Sequence, residues 1–384
     1  MAGIVSALPA HFAEIFPAQT FDAGIWIIQL WEDYIVKVTI KDIAKECGVS
    51  PAAVSLVLNN RDARISSETR KKILDTVKKY DYRPNRLAIG LLKNQTSTIG
   101  VIVPDIGNIF FAELCKGCEY EARKHNYTLM VTSADEFPAD NLRYFNALID
   151  QQVDGLIYVA PSNIDNQTIH SICSKITQLK IPFIAVDRAL DFPFAKSIVN
   201  DNIHGGYIAT KHLLELGHRR IGCLTGPLCN QTSSDRLKGY QKALEEFQVP
   251  YDASLVLEGD FTATSGYNSL AYMRGCDASA IFCFNDMMAL GIYRAARDYK
   301  LKLPEALSVV GYDDIFISDL LDPPLTTVNQ PAYKIGASAV LSLIALAQKD
   351  TSVDSVVFTP SLKVRSSTAA WDAARKESKQ ISCV

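Results

Sequence analysis

Between Val38 and Tyr80 the apolar positions recur at helical spacing, and the residues around them punctuate three short helices. Thr39 stands as a cap before Ile40 to Cys47, whose Ile43 and Ala44 face inward; Gly48 ends that helix and Val49 anchors the turn. Ser50 caps a second helix, Pro51 to Leu58, with its proline in the first turn, where the missing N–H leaves no bond unmade. A third helix, Ser67 to Tyr80, carries Ile73, Leu74 and Val77 on one face, and the three together can close one small core. Helix, glycine-containing turn and helix is the arrangement of a helix-turn-helix. Tyr82 to Leu92 (YRPNRLAIGLL) follows; glycine-marked and too brief for a stable isolated helix, it reads as a hinge.

From Thr98 the period changes. Strand-like runs (TIGVIVP, YTLMVTS, DGLIYVA, IPFIAVD, RRIGCLT, SAIFCFN and LSVVGYD) alternate with amphipathic stretches of helical length. That alternation predicts βαβ units and parallel sheets covered on both faces. The run is too long for one such sheet, so two similar lobes with a cleft between them are expected. The predicted fold class is therefore α/β: an all-α helix-turn-helix head followed by a two-lobed domain with parallel sheets. The expected boundaries are an extension of no assigned function at 1–37, disordered or non-native; the head at 38–82; hinge and linker at 83–97; the two-lobed domain at 98–370; and a tail at 371–384.

Charge sharpens this division. The net charge of −3 conceals +6 over residues 38–95, −3 over 1–37 and −6 over the remainder. A small basic segment on an acidic body suits a phosphate-binding module attached to a ligand-binding body. Nine scattered cysteines fit reduced thiols better than a disulfide framework. The one CxxC, Cys115 to Cys118, falls in the helical run Phe110 to Arg123 with no second pair nearby, so buried thiols are expected rather than a metal site. No stretch reaches the roughly 18 to 20 apolar residues of a membrane span, and Gly24 to Leu30 is far too short for one. The start lacks a secretory pattern, so the expected compartment is the cytoplasm, without a membrane partner.

In parallel α/β sheets, ligands bind beyond the carboxyl ends of the strands. The residues standing there are Asn108, Phe110 and Phe111 after IGVIVPD, Asp187 and Arg188 after PFIAV, and Arg236 in the loop region past RRIGCLTG. Phe261 follows LVLEGD; Asn285 and Asp286 follow AIFCF; Asp313 and Asp314 follow SVVGY; and Gln330 follows LTTVN. Carboxylates, amides and arginines suit vicinal sugar hydroxyls, which both donate and accept, while phenylalanine covers the apolar face of a sugar ring. Singly, each has a plain structural alternative: Asp187 with Arg188 as an ion pair, the phenylalanines as core, Asp286 as a helix cap. No HExxH, GxSxG or GxxxxGK[ST] motif is present, so no enzyme activity and no cofactor are expected. His204, His212 and His218 lack the spacing of paired metal ligands and are expected as surface or capping residues.

Six stretches carry a resemblance. TIKDIAKECGVSPAAVSLVLNN, YRPNRLAIGLL, HLLELGHRRIGCLTGP, FNDMMALG, VVGYDD and PPLTTVNQP occur in this order and resemble the lactose/galactose repressor family over about residues 38 to 370, closest in type to a ribose operon repressor. The resemblance implies an allosteric transcription repressor, a homodimer or a tetramer, with its two heads on the half-sites of a palindromic double-stranded operator. It implies base reading by Pro51, Ala52 and Leu56, and further DNA contacts from Thr39, Ser50, Ser55, Asn59 and Asn85. Leu56 stands where many members carry an arginine, and can offer only apolar contact such as to a thymine methyl. Leu91, beside Ala88, matches a hinge leucine that members wedge into the minor groove. The larger domain also resembles periplasmic sugar-binding proteins, and the ten strand-end residues Asn108, Phe110, Phe111, Asp187, Arg188, Arg236, Phe261, Asn285, Asp313 and Gln330 match a ribose site, with Ile109 departing from the usual Asn-Pro-Phe-Phe. Ribose is the first expected effector, another pentose or a hexose the second, and a corepressor-dependent regulator or a sugar-transport protein the rival readings.

Overall fold

The computed structural model describes residues 38–59, 65–82, 95–134, 138–162, 164–190, 192, 195–350 and 352–371. They fall into two compact units, the head and the larger domain. The 1–37 extension and most of the predicted hinge, with Asn85, Ala88 and Leu91, lie outside the described residues.

The head holds α1 (Ile40–Cys47), α2 (Pro51–Leu58) and α3 (Ser67–Lys79), with Tyr80 as the final cap. The carboxylate of Asp42 accepts from both the backbone N–H and the hydroxyl of Thr39, locking the first turn of α1. Gly48 leaves α1 at φ 72, a left-handed conformation that costs little without a Cβ. The Ser50 hydroxyl accepts from Ala53 N at 3.2 Å to cap α2. Ile43, Ala44, Cys47, Val54, Val57 and Ile73 form the buried core. Leu74, predicted inward, is instead 43% exposed. Thr76 takes a buried place on that face, where its hydroxyl meets the Cys47 thiol at 3.3 Å.

The larger domain has two six-stranded sheets. The first, in the order β11-β5-β4-β3-β1-β2, is built from β1 (Thr98–Val103), β2 (Thr128–Ser133), β3 (Gly155–Tyr158), β4 (Phe183–Val186), β5 (Lys196–Asn200) and β11 (Val356–Phe358). All its pairings are parallel. Ile99, Val101 and Val103 point to one face, where α4 (Ile109–Lys124) and α11 (Ala332–Ala347) pack; Ile102 and Leu156 point to the other, under α5 (Pro138–Asp150) and α6 (Asn166–Leu179). The second sheet, β12-β10-β9-β8-β6-β7, joins β6 (Ile221–Thr225), β7 (Val256–Glu258), β8 (Ala280–Cys283), β9 (Ser308–Asp313), β10 (Thr326–Asn329) and the antiparallel edge strand β12 (Ser361–Lys363). Its helices are α7 (Asn202–Glu215), α8 (Gln231–Glu246), α9 (Ala263–Gly275) and α10 (Asp286–Asp298). The chain crosses between lobes three times: from β5 to α7, from β10 to α11, and from β11 to β12. Each predicted strand is present; β5, β11 and β12 had no clear signal in the sequence.

Cys115 and Cys118 lie buried in α4, where burial pushes the Cys115 thiol up to about 11 and the Cys118 thiol higher still, and Cys118 donates to Gly336 O of α11. Among the described residues no His/Cys/Asp/Glu group could hold a metal ion, and no helix is long and apolar enough to cross a membrane.

His218 departs from the surface or capping role expected of it. It is buried between Ser279 Oγ (2.9 Å) and Ser308 Oγ (3.1 Å), under the stacked ring of Trp371. Trp371, placed by sequence in the tail, is tied to the domain by its N–H to Leu216 O at 2.7 Å. Burial lowers the His218 pKa from 6.5 to about 4. Between those values the unfolded chain binds a proton that the folded chain refuses, so this contribution is complete above pH 6.5 and is lost as pH falls toward 4. His218→Gln is expected to flatten the acid side of the curve of unfolding free energy against pH by an amount on the order of 2 kcal/mol near pH 4.5. Parallel curves for the two proteins from pH 7 to 4.5 would refute this role.

Candidate functional site

The strand ends of both lobes converge on one cleft of about 260 Å³, and all ten strand-end residues predicted for ligand binding line it. At roughly 30 Å³ per water this is room for about nine waters, the scale of a monosaccharide. From the first lobe, Asn108 caps α4, its Oδ1 accepting from Phe110 N at 3.1 Å with Ile109 as the first residue of the helix. Phe110 and Phe111 meet edge to face at 5.3 Å between ring centres in the first turn of α4. Asp187 and Arg188 follow β4, with Arg188 Nε 3.6 Å from Asp187 Oδ2 and a guanidinium N–H donated to Ala160 O.

From the second lobe, Arg236 projects from α8. Its Nε donates to Asn202 Oδ1 at 2.9 Å, another N–H donates to Phe284 O, and its guanidinium stacks 3.6 Å from the centre of the Tyr312 ring. Asn285 caps α10 by accepting from Met288 N and donates to Phe261 O, both at 2.9 Å. Asn285 is therefore the cap of that helix, the role considered for Asp286. Gln330, at the second crossing between lobes, donates to Asp313 Oδ1 at 2.6 Å and accepts from Asn200 Nδ2 at 2.5 Å.

Three cleft residues hold left-handed backbone: Asp187 at φ 67, Phe261 at φ 66 and Asp313 at φ 115. For a bulky residue such as Phe261 this is a rare conformation, and such outliers gather at binding sites. Gly226 makes room for the Phe261 ring, because a Cβ there would lie 2.1 Å from it.

Burial raises the pKa of Asp187, opposed by Arg188 and Arg236. It raises that of Asp313 further, opposed chiefly by Arg236, and lowers that of Arg188, opposed by Asp187. The charged forms of Asp187 and Arg188 thus support each other, and Arg236 supports those of both Asp187 and Asp313. Arg188 Nε has no hydrogen-bond acceptor among the described residues, although Arg188 is only 8% exposed. A buried donor without a partner is costly, and a ligand hydroxyl can meet it.

Asp105, Ser162, Thr232, Asp260 and Met287 also line the cleft and were not singled out from sequence. Ser162 follows β3, and reading the residues beyond DGLIYVA would have found it. It also joins the lobes at the rim: Asn230 Nδ2 donates to Ser162 Oγ at 3.1 Å and the Cys229 thiol to Ser162 O at 3.3 Å.

On the head, Pro51, Ala52, Leu56 and Asn59 are exposed along one side of α2, with Ser55 half-buried, while Val54 and Val57 enter the core. Thr39, Ser50 and Asn59 use their polar groups locally, Asn59 Nδ2 donating to Ser55 O at 2.7 Å. Leu56, 43% exposed, presents an apolar tip.

Residues 39–85 match the family described as bacterial regulatory proteins, lacI family, and residues 210–368 match a periplasmic binding protein-like domain. The chain is 35% identical over 336 residues to the HTH-type transcriptional regulator DegA of Bacillus subtilis (strain 168), covering 87% of this chain and 99% of that one. The chain belongs to the LacI family. The HTH-type transcriptional repressor PurR of Aliivibrio salmonicida is 36% identical over 80% of this chain and 91% of its own. Among solved structures, the lac repressor dimer bound to operator and the anti-inducer ONPF superposes with a TM-score of 0.78 at 30% identity, covering 87% of this chain and 99% of that one. A LacI family transcriptional regulator from Enterococcus faecium with bound ribose gives 0.66 at 30% identity, over 72% and 100%. As a LacI-family protein the chain is a DNA-binding transcriptional repressor and not an enzyme, and its larger domain is the family's effector-sensing fold.

Proposed function

We propose that this LacI-family repressor works in the cytoplasm as a homodimer that releases a palindromic operator when a neutral monosaccharide, ribose first, binds between its lobes. The observation that carries the reading is the polar inventory of the cleft: two buried arginines beside two buried aspartates, next to aromatic faces. Asp187 and Asp313 offer acceptors to vicinal hydroxyls, Arg188 and Asn108 offer donors, and Phe110, Phe111 and Phe261 cover the ring. The four buried groups Asp187, Arg188, Arg236 and Asp313 cancel formally and the exposed Asp105 and Asp260 add negative charge, so a phosphate on the ligand would bring an uncompensated buried charge. The ribose-bound relative and the operator-bound lac repressor dimer support the sugar and the dimer. The helix-turn-helix matched at 39–85 has no use in a transport protein.

In this reading the sugar bridges Asp187 and Arg188 of one lobe and Arg236 and Asp313 of the other, and so favours the closed cleft. Operator release then requires differential affinity: a tenfold weakening needs the sugar to prefer the released state by about 1.4 kcal/mol. Pro51, Ala52 and Leu56 are the base-reading residues of this reading, and Leu91, with Ala88, the minor-groove wedge. The test is calorimetric titration of the full chain with ribose, glucose, fructose and ribose 5-phosphate. Saturable heat with ribose and none with ribose 5-phosphate is the expected result; binding of the phosphorylated sugar in preference to ribose would overturn the neutral-ligand assignment.

A further inference from the structure

Asp286 opens α10 directly after the cleft residue Asn285, yet it does not line the cleft and is 0% exposed. Its Oδ1 accepts from Thr327 Oγ1 at 2.6 Å, and its Oδ2 accepts from the Ser318 hydroxyl at 2.7 Å and from Ile315 N at 3.0 Å. Gly311 clears the space, since a Cβ there would lie 2.1 Å from Oδ1. Ile315 and Ser318 belong to the stretch that leaves β9 and forms the short turn Phe316–Asp319. From the outer side Arg365 grips the same stretch, reaching Asp314 at 2.7 Å, Asp319 at 3.1 Å and Leu325 O at 2.8 Å. Between these holds two apolar side chains are exposed on the single chain, Phe316 at 68% and Leu320 at 74%.

The upstream end of this stretch is a cleft residue. Asp313 at φ 115 and Asp314 at φ 57 are consecutive residues in left-handed backbone, a path with little freedom to absorb a shift. The 315–321 segment is therefore tied to the cleft twice, through Asp313 along the chain and through Asn285 and Asp286 across it. We propose that Asp286 is a positioning residue that couples occupancy of the cleft to the exposed 315–321 segment. This coupling rests on the effector reading of the cleft. It supplies what an allosteric device needs, a physical link between a ligand site and a second surface whose arrangement the ligand can bias.

The test is hydrogen exchange of residues 314–322 in the full chain, with and without saturating ribose, beside calorimetry, for the wild type, Asp286→Asn and Ser318→Ala. The change Asp286→Asn replaces one acceptor oxygen with a donor at the same shape, and Ser318→Ala removes one donor while leaving Asp286 in place. In the wild type ribose is expected to change exchange in the segment about tenfold. Asp286→Asn is expected to bind ribose within threefold of the wild type, to exchange at least tenfold faster in this segment alone, and to lose the ribose response. Ser318→Ala, which carries the test by itself if Asp286→Asn does not fold, should lose part of that response. A full ribose response in both variants overturns the proposal, as does a ribose-bound wild type whose segment does not respond. Calorimetric silence of the wild type toward ribose would instead sink the sugar assignment. The unliganded segment then decides the tether: acceleration confined to it in either variant upholds it, and unchanged exchange in both overturns it.

Discussion

Asp313→Asn will weaken ribose binding roughly 10- to 150-fold, the equivalent of about 1.5 to 3 kcal/mol for a hydrogen bond to a charged group. Asp313 is buried, one of its oxygens accepts from Gln330 at 2.6 Å, and the other is left for a ligand hydroxyl. Asparagine tolerates the left-handed backbone at φ 115 better than alanine would, so the substitution removes charge with little added strain. It also leaves Arg236 facing one carboxylate fewer, which works against the closed cleft. Calorimetry gives the loss of affinity directly, and operator release should require a correspondingly higher ribose concentration. Unchanged affinity would remove Asp313 from the site.

Ile43→Ala will abolish operator binding while leaving the effector cleft intact. Ile43 is 0% exposed in a core that, among the described residues, holds six buried hydrophobic side chains shared among α1, α2 and α3. Deleting a buried isoleucine to alanine costs about 2 to 5 kcal/mol, and a head this small has little stability to lose. The larger domain has its own cores and forms a separate compact unit, so its ribose titration should not change. A melting curve should show the head's transition lost or shifted far down with the larger domain's in place. Operator affinity within threefold of wild type would refute this view of the head.

Much of this architecture was legible from the chain because its signals are local. Runs such as TIGVIVP and SAIFCFN are apolar throughout since parallel strands are covered on both faces, and Gly48 and Ser50 mark a turn that backbone sterics require. The cleft was legible for a geometric reason: parallel strands of one sheet deliver their carboxyl ends to one side, so the residues after β1 and β4 share one sheet edge and those after β8, β9 and β10 another, and the fold brings the two edges together. What escaped depends on the tertiary fold. β5 carries lysine, serine and asparagine, and β11 and β12 are three residues each, too short for a period to show. Leu74, expected inward, is exposed and Thr76 is buried because helical spacing alone does not say how far the buried face of α3 extends. His218 looked like a surface residue, and only the fold brings Ser279, Ser308 and Trp371 around it. The latch from Ser162 to Cys229 and Asn230 joins lobes that no sequence window spans. Asn285 and Gln330 were singled out for amide chemistry, but how far those amides are committed to Phe261, Met288, Asn200 and Asp313 is visible only in three dimensions.

The most direct test of a sugar-released repressor is a fluorescence anisotropy titration of the full chain on a palindromic operator obtained by in vitro selection, at several salt concentrations, with and without ribose. The expected affinity falls steeply with salt, as phosphate contacts require, and weakens at least tenfold with saturating ribose but not with ribose 5-phosphate. Operator binding that ribose leaves unchanged, in a protein shown by calorimetry to bind it, would contradict release by the sugar.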